Sequence, residues 1–121
     1  MRLVSLFLIL ICCYVYAQLD TIFTPVCIPV RTGDSLAADF YSLDSTTAKP
    51  VILIQTPYNK DTYRLMSLYM DLDDTTGLWN LVHYNFVILD WRGFYGSMDA
   101  DSVGYDRGLD GYDAVEWIAS R

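Results

Sequence analysis

The sequence predicts an α/β fold, the first half of an open sheet built from an antiparallel hairpin, two parallel strands and crossover helices. Three observations lead there. Val51-Ile52-Leu53-Ile54 and Phe86-Val87-Ile88-Leu89 are continuous apolar runs, as expected of parallel strands covered on both faces. The segment Gln55 to Asn85 between them is ample for a parallel crossover, which needs about a dozen residues. Upstream of both, Leu36 to Tyr41 alternates instead, with Leu36, Ala38 and Phe40 on one face and Ala37, Asp39 and Tyr41 on the other.

Taken in order, the chain opens on a leader. Arg2 precedes the apolar run Leu3 to Val15, and Val15-Tyr16-Ala17 places small residues where a signal peptidase reads. The run is shorter than the ~20 residues that span a bilayer, and Gln18 and Asp20 follow at once. A signal anchor is the alternative. A lipoprotein would acylate Cys12 or Cys13, but bulky Ile11 precedes them where a small residue belongs. The expectation is a signal peptide over 1–17, export to a secreted or extracytoplasmic location, and no stable membrane span after cleavage. Cys27 is then the one remaining cysteine, and a buried thiol on an apolar strand is its expected state.

Ile22 to Val30 is rich in apolar and β-branched residues, and Pro25 and Pro29 suit an edge strand. Arg31-Thr32-Gly33-Asp34-Ser35 is turn chemistry leading into the alternating strand, so the two should form a hairpin. Asp44 to Lys49 is a polar loop. Within the crossover, Leu78 to Val82 is the expected helical piece, while Tyr63 to Met70 fits helix or packed loop equally. Asp71, Asp73 and Asp74 lack the spaced ligands and final Glu of a calcium loop and read as a solvated acidic stretch. The last segment is the clearest helix: Asp110 as cap, Asp113 and Glu116 near its positive end, and Ala114, Val115, Trp117 and Ile118 as its apolar face.

Composition narrows the function. Eight Lys+Arg against 15 Asp+Glu give a net charge of −7, against the basic footprint that nucleic-acid binding requires. Hydrophobic residues at 53% exclude a disordered chain. No His/Cys/carboxylate cluster has ligand spacing, so neither metal nor cofactor is implied. The chemistry-bearing motifs sit instead at the C-terminal ends of the two parallel strands, the edge where open α/β sheets bind ligands. They are Gln55-Thr56-Pro57-Tyr58-Asn59-Lys60 and Asp90-Trp91-Arg92-Gly93-Phe94-Tyr95-Gly96-Ser97. Asp90, Arg92 and Gly93 read as structural residues near the site, with the acid and the base bracing the loop through an ion pair or backbone hydrogen bonds. A substrate contact for Arg92 is the other reading.

These stretches, with Pro29 to Tyr41 and Asp110-Gly111-Tyr112-Asp113-Ala114-Val115-Glu116-Trp117-Ile118-Ala119, resemble the N-terminal part of the CocE/NonD hydrolases. That group includes cocaine esterase-like enzymes and Xaa-Pro dipeptidyl-peptidases of serine peptidase S15 type. Met98-Asp99-Ala100 departs from the pattern, where the family continues with an acid, a glycine and an aromatic. The resemblance implies that 18–121 is part of an α/β-hydrolase domain, ending before the Gly-x-Ser-x-Gly elbow that carries the nucleophile. The Ser-Asp-His triad is thus absent from these residues, and His83, the one histidine, precedes any nucleophile and is not catalytic. It also implies that Tyr58 donates its hydroxyl to the oxyanion. The alternative is a tyrosine packed with its ring inward. The expected whole protein is a secreted serine hydrolase acting on a small-molecule ester or a peptide, and the alternative is a non-catalytic binding or relic protein of the same fold.

Overall fold

The computed structural model describes residues 22–69, 77 and 79–121. The leader, the acidic stretch Asp71 to Asp74 and Leu78 lie outside the described residues. Among the described residues no helix is long and apolar enough to cross a membrane.

Among the described residues four strands form one mixed sheet. The elements in chain order are β1 (Phe23–Pro29), β2 (Ser35–Tyr41), β3 (Val51–Thr56), α1 (Lys60–Ser67), β4 (Asn85–Asp90), a single 3₁₀ turn (Tyr95–Ser97) and α2 (Arg107–Ala119). Their order across the sheet is β1-β2-β4-β3. β1 and β2 form the expected antiparallel hairpin, in register from Phe23 opposite Tyr41 to Pro29 opposite Ser35. β2 runs antiparallel to β4, and β3 runs parallel to β4 from Val51 beside Asn85 to Thr56 beside Asp90. The two prolines sit on β1, at the sheet edge, where no ladder partner needs their missing N–H.

The period-2 alternation sorts the core into two layers. Ile28, Leu36, Ala38, Val87 and Leu89 face one side, with Ala114, Trp117 and Ile118 of α2 packed over them. Tyr41, Phe86 and Ile88 face the other, with Tyr63 of α1 and the indole of Trp79 against them. All six residues of β4 are buried, as its apolar run anticipates. β3 is different: Ile52 is exposed, and most of the strand is half-buried. The reason is position, because among the described residues no strand pairs with its outer edge.

Four local expectations are corrected. Trp79 to Val82 is not helical. Trp79 and Leu81 are both buried with Asn80 between them, and residues two apart cannot share a helix face. The crossover helix instead starts at Lys60 and takes in Tyr63 to Ser67. The second helix is capped by Asp106, whose side chain accepts from the Gly108 N–H at 2.8 Å. Asp110 stands one turn inside it and is buried. Val115 is exposed at the margin of the expected apolar face. Cys27 is exposed, because it alternates with Val26 and Ile28, which pack into the α2 layer, and so faces the uncovered side of the edge strand.

Candidate active site

The C-terminal ends of β3 and β4 lie side by side. The ladder runs one residue past the end of β4, with the Trp91 N–H donating to the carbonyl of Thr56, the last residue of β3, at 3.0 Å. β3 then turns sharply through Pro57 and Tyr58, and the backbone of Tyr58 is held on both sides. Its N–H donates to Thr56 Oγ1 at 3.0 Å, and its carbonyl accepts from Thr62 Oγ1 at 3.1 Å. Asn59 adopts φ +69° and caps α1, its Oδ1 accepting from the Asp61 N–H at 3.0 Å. The side chain of Tyr58 is directed outward: the residue is 75% exposed, and among the described residues no hydrogen bond engages its hydroxyl. The inward-packed alternative therefore does not describe it.

Asp90 is fully buried and clamps two loops together. Its Oδ1 accepts from the Lys60 N–H at 2.7 Å, and its Oδ2 from the Gly96 N–H at 3.1 Å. Burial pushes its carboxyl above the usual range, and these two N–H groups hold it partway back. The same loop is tied to β2 through Ser97, whose Oγ donates to the Asp90 carbonyl and accepts from the Ala37 N–H. Gly96 is required here, since a Cβ would stand 2.8 Å from that of Ala37. Gly93 turns at φ +79° against Ser102.

Arg92 does not pair with Asp90. Its guanidinium is buried and spends all five N–H groups elsewhere. Nε and Nη2 grip Asp110 at 2.9 and 2.8 Å, Nη2 also reaches Thr32 Oγ1, and Nη1 reaches Asp34 and the Asp101 carbonyl. The ring centre of Tyr105 lies 4.0 Å from the guanidinium carbon. Asp110 raises the Arg92 pKa further, while Arg92 and then Thr32 hold the Asp34 carboxyl below the usual range. No donor is left to face a ligand. The group joins the hairpin turn, the β4 loop and α2, three segments far apart in sequence.

A second charged cluster was not anticipated from the sequence. Asp39 of β2 is fully buried under α1, and Arg64 grips both its oxygens at 2.7 Å. Lys60 Nζ stands 3.4 Å from Asp39 and 2.9 Å from Asp61. Asp39 raises the Arg64 pKa. One signal could have found it: an acid on the same strand face as Tyr41, buried by alternation, needs a cationic partner. Among the described residues no group of three or more His, Cys, Asp or Glu is placed to hold a metal ion.

A hairpin, a parallel pair in the order β1-β2-β4-β3 and loops converging at the strand ends are those of an N-terminal part of an α/β-hydrolase sheet. A family model described as X-Pro dipeptidyl-peptidase (S15 family) matches residues 32–121, and the chain belongs to that family. A cocaine esterase from Rhodococcus sp. (strain MB1 Bresler) is 30% identical over 95 residues, covering 77% of this chain and 16% of the relative. Two solved structures share the fold at 24% identity. One is an alpha-amino acid ester hydrolase, with a TM-score of 0.63 over 83% of this chain. The other is an aminopeptidase from the marine sediment archaeon Thaumarchaeota archaeon, with a TM-score of 0.60 over 82%. The chain spans 19% of the length of each of these two.

Proposed function

We propose that this chain forms the N-terminal part of a secreted serine hydrolase that cleaves ester or amide bonds through an acyl-enzyme, with Tyr58 as an oxyanion-hole donor. The observation that carries the reading is the state of Tyr58. Its backbone is pinned at the strand-end edge where open α/β sheets bind ligands, its side chain is exposed, and among the described residues no hydrogen bond engages its hydroxyl. Membership of the S15 family adds the chemistry.

Attack on a carbonyl puts negative charge on its oxygen. A donor already aimed at that oxygen stabilises the charge more than it stabilises the neutral ground state. Tyr58 supplies one O–H. The nucleophile, the acid and the base come from chain beyond these residues, as does a backbone N–H beside the nucleophile. Asp90 keeps the Tyr58 loop and the β4 loop at a constant separation, because one carboxylate accepts from both.

Tyr58→Phe in the full-length protein tests the assignment. The variant should keep its stability and lose about 10²–10³ in kcat, with KM little changed. Turnover within about threefold of wild type would remove Tyr58 from the mechanism. Reading the transcript past the Arg121 codon tests the frame of the proposal: a Gly-x-Ser-x-Gly stretch within a few tens of codons supports the hydrolase, and an immediate stop supports the relic. N-terminal sequencing of secreted material should begin at Gln18.

A further inference from the structure

We propose that Asp39, acting through Lys60 and Arg64, is a positioning residue that sets where the Tyr58 hydroxyl stands. This rests on the oxyanion reading of Tyr58 and names the device that holds the donor. α1 is short, and it follows Tyr58 after a single residue, the cap Asn59. Two hydrogen bonds leave the connection little slack, so the placement of α1 passes directly to Tyr58.

Two carboxylates on neighbouring strands hold that helix. Asp90 of β4 takes the backbone N–H of Lys60, the first helical residue. Asp39 of β2 takes the side chain of Arg64, one turn further on, and stands near the Lys60 ammonium. Lys60 and Arg64 are four apart and share a helix face. The helix is therefore held at two points along that face, which fixes both its height above the sheet and its rotation about its axis. Arg64 is braced from its other side by Phe23 of β1, whose ring centre lies 4.4 Å from the guanidinium carbon.

The choice of residues suits orientation better than stability. A buried ion pair is often no more stabilising than an apolar pair of similar volume. Apolar contacts, however, are non-directional, whereas an Arg–carboxylate fork admits one geometry. A catalytic donor gains from that directionality, because a small misplacement of the reacting groups carries a large kinetic cost. Asp39 and Arg64 touch no substrate in this scheme and act only through the helix.

A double-mutant cycle in the full-length enzyme tests the assignment, with an activated ester as substrate and thermal unfolding measured in parallel. Arg64→Met should lower kcat about tenfold with KM within about twofold, because the donor is displaced only where charge develops. In the Tyr58→Phe background the same change should cost less than about twofold, since no donor remains to be displaced. Should Arg64→Met not be secreted, Arg64→Lys carries the same comparison. It keeps the cation, loses the fork, and should cost about threefold in wild type and nothing beyond error in Tyr58→Phe. A silent Tyr58→Phe overturns the oxyanion reading and this inference with it. A slow Tyr58→Phe combined with an equal loss from the Arg64 change in both backgrounds overturns the positioning role alone.

Discussion

Arg92 and Asp39 are both buried charges held by a carboxylate–guanidinium fork, one on each side of the sheet, and they are closed to different degrees. At Arg92 the cation itself is buried, every N–H has an acceptor, and the partners come from the hairpin turn, the β4 loop and α2. At Asp39 the anion is buried while the side chain of Arg64 stays 27% exposed, on a helix of eight residues. The first cluster joins distant segments into one fold. The second holds a short helix, and the loop before that helix carries Tyr58. An ion pair seen in a structure therefore has no fixed role; what it joins decides what it does.

The difference should be visible in stability. Arg92→Met leaves Asp110 buried without its cation, and the loss should be about 3–5 kcal/mol in denaturant unfolding of the full-length protein. A loss below about 1 kcal/mol would mean that the cluster is not closed as described. Arg64→Met should cost less, about 1–2 kcal/mol, because Lys60 still stands 3.4 Å from Asp39. If the two variants lost equal stability, the contrast between the clusters would fail.

Two glycines test the Arg92 cluster at the backbone level. Gly93 and Gly33 both have positive φ, at +79° and +89°. A Cβ on Gly93 would stand 2.8 Å from that of Ser102, while one on Gly33 would meet nothing within 4 Å. Gly93→Ala should therefore cost about 2–3 kcal/mol and Gly33→Ala about 1 kcal/mol, compared by thermal melts. Equal losses would show that the loop around Arg92 yields to the added methyl.

The smallest expected effect is a difference in titration. Asp34 hydrogen-bonds to Arg92 and should titrate below the ordinary carboxylate value of 3.8. Its contribution to stability is present above that value and fades as pH falls through the lower folded one. Asp90 is desolvated and should titrate above 3.8. Its sign is opposite: the fold favours the protonated form, so stability attributable to Asp90 is present at low pH and declines as pH rises through its folded value. Carboxyl-carbon NMR titration separates the two, and coincident midpoints would contradict both assignments.

Much of this protein follows from local pattern. Period-2 alternation in Leu36 to Tyr41 and the unbroken apolar runs at Val51 and Phe86 specify which residues share a face, because side-chain direction along a strand is set by the backbone alone. The motif edge at Tyr58 and Asp90 was legible for the same reason, since a strand end is a local feature. Helix limits were less so: Asp106 and Asp110 are both competent caps, and the choice between them depends on Arg92, which claims Asp110 from 18 residues away. Trp79 looked helical in its own neighbourhood, but its indole is enclosed by Tyr41, Tyr63 and Phe86, contributed by three other elements. Cys27 was expected inside because an apolar strand has two apolar-looking faces, and only the sheet order shows that one of them is left uncovered. The fork on Asp39 was the hardest to read. Arg64 is 25 residues distant, and ion pairing between strand and helix depends on how the crossover lays α1 over β2. Local stereochemistry thus determined the elements and their faces, while long-range pairing of charges and rings decided where the helices begin and what they cover.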